Sequence, residues 1–368
     1  MVVYIRGMAV RKNHWLDDEV FQSGVALCQT IPGATAMQTA AYVGYRLHGV
    51  VGAAACFIGF GLPAFALMMV LSAAYLGMKE LPVAVSLFEG LRPIVVAMIA
   101  NAAFKFGRST VKTLRHFAIA GMAALLFALG LNPILVIAIA FGLGMLLWRS
   151  AGNGSDAVIT DFPDDSFFRS IFLLLIPVVV AFSMLFVANR GLFDLAALMS
   201  RIDLFAFGGG FASVPLMYHE VVEIRQWMPS QTLMDGIALG QVTPGPIVIT
   251  ATFVGYILKG PIGAVVATVA IFTPSFLLLV VSIPYFDRLR SSLWFNRAIG
   301  GILCSFVGLL LTVAIRFAFL LHWDFKAAFL GLSAFAALMM NVDILWVVLG
   351  GIAASLLIPI AWQVFAAA

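Results

Sequence analysis

Charged side chains are scarce in this chain: 21 Lys and Arg and 17 Asp and Glu stand among 368 residues, 10% of the total, against 63% hydrophobic residues. A soluble domain carries about 25% charged residues, so water is excluded as the main solvent. Cysteine is scarcer still. Cys28, Cys56 and Cys304 lie in apolar segments with no Cys-x-x-Cys or Cys/His spacing. That pattern gives no metal or redox centre and leaves them as small core residues. There is no His-Glu-x-x-His, Gly-x-Ser-x-Gly or Walker-type lysine loop, so no catalytic residue, metal ligand or cofactor is assigned and an enzyme is disfavoured. The first twenty residues lack the apolar run of about 7–15 residues that a secretory leader needs. The net charge is only +4, and the basic residues sit in short segments between apolar blocks, which argues against a nucleic-acid surface.

What the chain does have is long apolar runs. Residues 49–78 carry no formal charge, and further runs cover 117–148, 170–189 and 261–284. A bilayer core about 30 Å thick demands such runs of a spanning helix, whereas barrel strands would alternate with period two. The expected fold class is therefore an all-α integral membrane protein. It is a polytopic helical bundle that crosses the plasma membrane several times, with membrane lipid as a partner.

An internal repeat organises the rest. Trp15, Ala26, Leu27, Gln29, Pro32 and Gly33 recur 212 positions later as Trp227, Ala238, Leu239, Gln241, Pro244 and Gly245. Val43, Gly44, Tyr45, Gly49, Gly52, Ala53, Pro63 and Phe65 recur 211 positions later as Val254, Gly255, Tyr256, Gly260, Gly263, Ala264, Pro274 and Phe276. Two homologous halves follow, at 1–149 and 168–368, around a polar linker at 150–167 rich in Gly, Ser and Asp. The first half has no equivalent of 170–212, because Met1 aligns with Ser213. Either this half is naturally short, or an upstream in-frame segment is expected to end in a Phe-Gly-Gly-like motif. The basic loops exchange places between the halves: Lys105, Arg108, Lys112 and Arg115 in the first, Arg288, Arg290 and Arg297 in the second. Since Lys and Arg mark the cytoplasmic side, the halves are expected to be inverted.

Each half contains a segment too polar to be a plain span. Residues 24–46 and their twin 236–256 carry Gln, Thr and a central Pro-Gly. Proline removes a donor and glycine permits the turn that follows, so broken or re-entrant helices are expected at Pro32-Gly33 and Pro244-Gly245-Pro246. A break exposes N–H groups that attract anions. Paired repeats bring such ends together near the midplane. Gln29, Gln38 and Gln241, with Thr243, Thr250 and Ser275, are neutral donors suited to an oxyanion, and Gly208, Gly209 and Gly210 can form a nest of amides. The alternatives are a packing kink for the breaks and close helix contact for the glycines.

The combination FAFGGGFASVP, His-Glu, RQW, ALGQVTPGP, VGY, KGPIGA and FTPSF resembles the chromate ion transporter family, as do HWLDDEVF, ALCQTIPGATAMQ, YVGYRLHG and GLPAF in the first half. The resemblance covers most of the chain. It implies two homologous halves that export chromate, an oxyanion shaped like sulfate. Two departures stand out: the first half lacks the glycine motif, and Ala34 stands where Pro246 has its counterpart. A sulfate-like substrate, a non-transporting subunit that needs a partner, and a homo-oligomer remain open alternatives.

Ionisable residues inside spans are costly and often functional. Glu220 is the leading candidate for a proton-coupled carboxylate. Arg46 and Lys259 end the two broken segments, either at a cavity mouth or as membrane-edge markers. Glu89 and Arg92, three apart, are expected to neutralise each other. Arg201 and Asp203 are expected in a short solvated loop.

The exchanged basic loops predict that Ser109→Cys and Ser291→Cys, each in a chain without native cysteines, both resist a membrane-impermeant thiol reagent in intact cells. Labelling of either from outside overturns the inverted arrangement.

Overall fold

Lipid offers the backbone no hydrogen-bond partners, so a chain this apolar must satisfy its own amides and carbonyls within helices. The computed structural model describes residues 1–78, 81–147, 165–286 and 292–367, and every regular element among them is helical. In order these are α1 (Val2–Arg6), α2 (Asp18–Thr30), α3 (Thr35–Met78), α4 (Pro82–Thr110), α5 (Leu114–Ala128), α6 (Pro133–Leu147) and α7 (Asp165–Ala188). Then follow α8 (Arg190–Phe205), α9 (Ser213–Met217), α10 (Ser230–Val242), α11 (Thr250–Ser282), α12 (Leu293–Leu320), α13 (Phe325–Met339) and α14 (Ile344–Ala367). Five described helical segments are long and apolar enough to cross a membrane: Thr35–Met78, Pro82–Thr110, Ile171–Ala188, Ile247–Tyr285 and Trp294–Leu320. The expected polytopic all-α membrane protein is the observed one. The 150–167 linker lies almost wholly outside the described residues, as do Arg288 and Arg290 of the second basic loop.

The duplicated sequence adopts duplicated backbone. A π-helical turn follows α1 at Gly7–Lys12 and follows α9 at Tyr218–Ile224. Two residues beyond each turn, and just before a tryptophan, the backbone is left-handed, at His14 (φ 49°) and Gln226 (φ 51°). α3 and α11 each hide a reversal. At His48–Gly49 the angles are φ −140°, ψ 28° and φ 60°, ψ −148°, and at Lys259–Gly260 they are φ −140°, ψ 20° and φ 63°, ψ −156°. Glycine is required there because positive φ strains any residue with a Cβ. Beyond each reversal the second arm returns so tightly that a Cβ on Gly44 would touch the Gly52 carbonyl, and one on Gly255 the Gly263 carbonyl.

The Pro-Gly breaks make a second kind of reversal. α2 ends at Thr30 and α3 begins at Thr35, and the two fold back on one another: Gly24 lies against the Tyr42 ring, and Phe21 packs with Val43. α10 and α11 do the same, with Gly236 against the Phe253 ring. Each half thus carries a helical hairpin folded back at its Pro-Gly break.

The C-terminal helices of the halves are exchanged. α5 and α6 pack on α12, α13 and α14 pack on α4, and α4 packs on α12. In lipid the hydrophobic effect does not drive helices together, so close contact of small residues does. Gly301 fits against Gly144 and Ala140, and at the equivalent place Gly90 fits against Ser355. Along α4 and α12 the contacts run in opposite order: Gly107 meets Val307, while Arg92 and Leu320 line a common cavity.

Gly44→Leu and Gly255→Leu are each expected to destabilise by about 1–3 kcal/mol, because the neighbour is backbone and cannot yield. Lower melting temperatures in detergent and loss of monodisperse protein on gel filtration check this. Gly59→Ala, with no atom within 4 Å of the new methyl, should melt like wild type.

Candidate functional site

The two hairpin tips meet the opposite halves where proline bends a long helix. Gly33, at φ +112°, donates its N–H to Ala206 O at 3.0 Å. A methyl at Gly33 would lie 2.9 Å from Gln38 Nε2 and would collide with Ser275. At the second tip, a methyl on Gly245 would lie 2.5 Å from Ala64 Cβ. Ser275 and Ala64 each follow a proline, Pro274 and Pro63, inside the return arms of α11 and α3. Both are fifteen residues past their reversal glycine, about 22 Å along the helix.

α8 stitches the Pro274 bend. Proline has no N–H, so the Ala270 carbonyl loses its helical partner; Ser200 Oγ donates to it at 3.0 Å. One residue on, the Ser275 N–H donates to Asp203 Oδ2 at 2.7 Å. Asp203 is 1% exposed, and its Oδ1 has no hydrogen-bond partner. The solvated loop expected for Arg201 and Asp203 is therefore corrected: both lie on α8. Helical spacing turns Asp203 into the bundle, while Arg201 reaches Glu220.

After α8 the chain crosses between the tips as a glycine loop. Gly208 and Gly209 adopt φ +88° and +100°, and a methyl at Gly208 would lie 2.5 Å from Phe106 Cζ. Gly209 approaches Thr35 at the start of α3, and Gly210 approaches Ile247 and Val248 beside the second tip. A cavity of about 490 Å³ opens here, lined by Gly208, Gly209, Gly210, Asn101, Lys105 and Ser109 among others.

The side chains singled out from the sequence fare differently. Pro32 and Gly33 are buried at the first tip, as is Gln38, whose Nε2 donates to Pro32 O at 2.6 Å and so closes its own turn. Gln38 Oε1 is buried without a partner, and so is Gln241 Nε2 at the second tip. Gln29 is exposed, as is Pro244, while Gly245 and Pro246 are half-buried. Thr250 and Ser275 are buried, and their hydroxyls donate to the carbonyls of Ile247 and Phe272. Glu220 is 4% exposed, with Arg201 on one oxygen and Arg225 Nε 3.8 Å from the other, so its charge is balanced. Arg46 and Lys259 are exposed at the reversals. The expected Glu89–Arg92 pair is corrected: Glu89 is exposed, and Arg92 forks onto Asp235 through Nε at 2.9 Å and Nη2 at 3.0 Å. Tyr75 Oη completes that cluster, 3.0 Å from Asp235 Oδ2.

Asp235 escaped the sequence reading, although an acid within SQTLMDGIALG carried the needed signal: such a residue demands a partner. The trio of His219, Glu223 and Arg316 escaped as well. Glu223 receives Arg316, and its Oε2 lies 2.9 Å from His219 Nδ1. Arg316 Nη2 also donates to Phe127 O at 2.8 Å.

Removing one partner of a buried ion pair costs about 3–5 kcal/mol, whereas replacing both by apolar side chains is often neutral. Asp235→Leu is therefore expected to lower the melting temperature sharply, and Arg92→Met with Asp235→Leu to restore most of it. Equal losses in the single and double variants would deny the coupling.

A family model described as chromate transporter matches residues 1–145 and 193–356. The chain is 44% identical over 350 residues to an uncharacterized transporter of Methanocaldococcus jannaschii, covering 95% of this chain and 87% of that one. It is 28% identical over 345 residues to a chromate transport protein of Cupriavidus metallidurans, covering 91% and 82%. It is 28% identical over 337 residues to a chromate transport protein of Pseudomonas aeruginosa, covering 90% and 80%. No solved structure matches. A match that takes in both duplicated halves, on a bundle of membrane-spanning helices, means that the chain belongs to the chromate transporter family.

Proposed function

We propose that this chain is a secondary transporter that exports chromate, or a small oxyanion of the same shape, across the plasma membrane. The substrate passes through a midplane site built from the two re-entrant tips and the glycine loop between them. One observation carries the reading: each Pro-Gly tip packs on the proline bend of the other half, Gly33 on Ser275 and Gly245 on Ala64. The antiparallel course of the equivalent helices α4 and α12 supports inverted halves. Family membership favours transport over catalysis.

The chemistry suits a dianion. Taking a doubly charged ion out of water is prohibitive unless fixed donors replace its hydration shell. Backbone amides and neutral side chains do so without a permanent charge that would trap the ion. Outward movement from a negative-inside cell is favourable by about 2.3 kcal/mol per charge per 100 mV. The protein therefore has only to lower the central barrier and to expose the site to one side at a time. Rocking of one half against the other is the economical route, because each tip already rests on the opposite half.

Gln241, whose Nε2 is buried and unpartnered, is the side chain best placed to donate. Gln241→Glu keeps the size but sets a carboxylate against the anion, a repulsion of several kcal/mol at an effective dielectric near 20. Gln241→Leu removes one donor, about 1.5–3 kcal/mol toward a charged partner. Chromate efflux from cells with equal membrane abundance should fall in the order wild type, Leu, Glu. Normal efflux by Gln241→Glu removes this residue from the anion's contact shell.

A further inference from the structure

Two cations occupy equivalent places in the duplicated halves. Lys105 on α4 and Arg316 on α12 stand 211 positions apart. Each holds the last turn of an exchanged helix. Lys105 Nζ donates to Leu338 O at 3.1 Å, and Arg316 Nη2 donates to Phe127 O at 2.8 Å; Leu338 and Phe127 are themselves 211 apart. The electrostatics then diverge. Arg316 is neutralised by Glu223. The position matching Glu223 in the first half is Arg11, and among the described residues no carboxylate lies within 4.0 Å of Lys105.

Lys105 is exposed and lines the cavity of about 490 Å³ at the glycine loop instead. Asn101, Lys105 and Ser109 line it from positions i, i+4 and i+8, one face of α4. Asn101 is 5% exposed, and its Oδ1 is buried with no hydrogen-bond partner. An amide held by nothing can turn its NH₂ into the cavity. Across from it, Gly208 and Gly209 sit at positive φ, and among the described residues neither amide donates to a backbone carbonyl. Arg108 joins Lys105 and Ser109 around an adjoining space of about 350 Å³, which makes the approach basic.

We propose that Lys105, the Asn101 amide and the Gly208 and Gly209 N–H groups form a binding station for a small tetrahedral oxyanion on its way to the hairpin tips. The identity of the anion rests on the transport reading above; the station itself rests on an uncompensated ammonium and an unpartnered amide lining one cavity. The substrate supplies in the first half the negative charge that Glu223 supplies in the second.

The test uses the full-length protein, purified in detergent and in liposomes. Sodium chromate and sodium sulfate are compared with sodium chloride at equal ionic strength. Lys105→Gln keeps a donor for Leu338 O but removes the charge, Lys105→Arg keeps both, and Asn101→Leu removes the amide at similar volume. Wild type and Lys105→Arg should gain melting temperature with chromate, while Lys105→Gln and Asn101→Leu lose that gain. In liposomes Lys105→Gln should raise the KM for chromate about tenfold or more. If Lys105→Gln retains the wild-type thermal gain and KM, Lys105 is only a helix clamp and an interface marker, and the station is overturned. Should Lys105→Gln not fold, unchanged chromate binding by Asn101→Leu overturns it equally. If wild type neither gains stability nor carries chromate or sulfate, the oxyanion reading itself falls, a result distinct from a functional wild type with indifferent variants.

Discussion

The reciprocal seating of two Pro-Gly tips on two proline bends is the contact on which the rest of the bundle depends. A broken helix inside a membrane leaves amides and carbonyls without intrahelical partners, and lipid cannot supply replacements. This chain answers the problem by placing the breaks against one another's halves. Gly33 finds the carbonyl of Ala206, and Gln38 closes its own turn. Across the interface, Ser200 and Asp203 take the two groups disturbed by Pro274. The Gly33 bond to Ala206 and the packing of Gly245 on Ala64 cross between the halves, and they tie the conformation of each half to that of the other.

Exchange of the C-terminal helices reinforces the tie. α5 and α6 belong by sequence to the first half but pack on α12, and α13 and α14 pack on α4. The contacts are made by glycine, alanine and serine, so backbones touch, and even a methyl group at Gly301 or Gly90 has no room. Close packing of this kind favours rigid units that move against one another over gradual deformation. An alternating-access transporter needs that property.

Electrostatics divides the molecule unevenly. Three arginines are paired with carboxylates of the bundle: half-buried Arg92 with Asp235 and Arg316 with Glu223, and the more exposed Arg201 with Glu220. Around the glycine loop the balance is different, with Lys105 free of carboxylates among the described residues and the amides of Gly208 and Gly209 unspent. In the station proposed above, the exposed Lys105 ammonium is the positive charge that draws an anion to this cavity. Asp203, with one oxygen bound and one bare, is buried in the last turn of α8, just before the glycine loop.

The sequence by itself determined the solvent, the helical class, the duplication and the places where helices break. Each of these rests on composition or on local rules: long apolar runs need lipid, and Pro-Gly ends a helix wherever it stands. It also marked the glycine loop and the conserved-offset glutamines of the two tips. Tertiary structure alone decided which residues meet. Glu89 and Arg92 are neighbours on a helix face, yet Arg92 turns to Asp235, 143 residues away, because a deeply buried carboxylate has far more to gain from a guanidinium than an exposed one. Asp203 became a bend-capping residue only because α8 lies along α11. The contrast between Lys105 and Arg316 appears only when the exchanged helices and the facing Glu223 are in place, since charge compensation is a property of three-dimensional neighbours and leaves no local pattern in the chain.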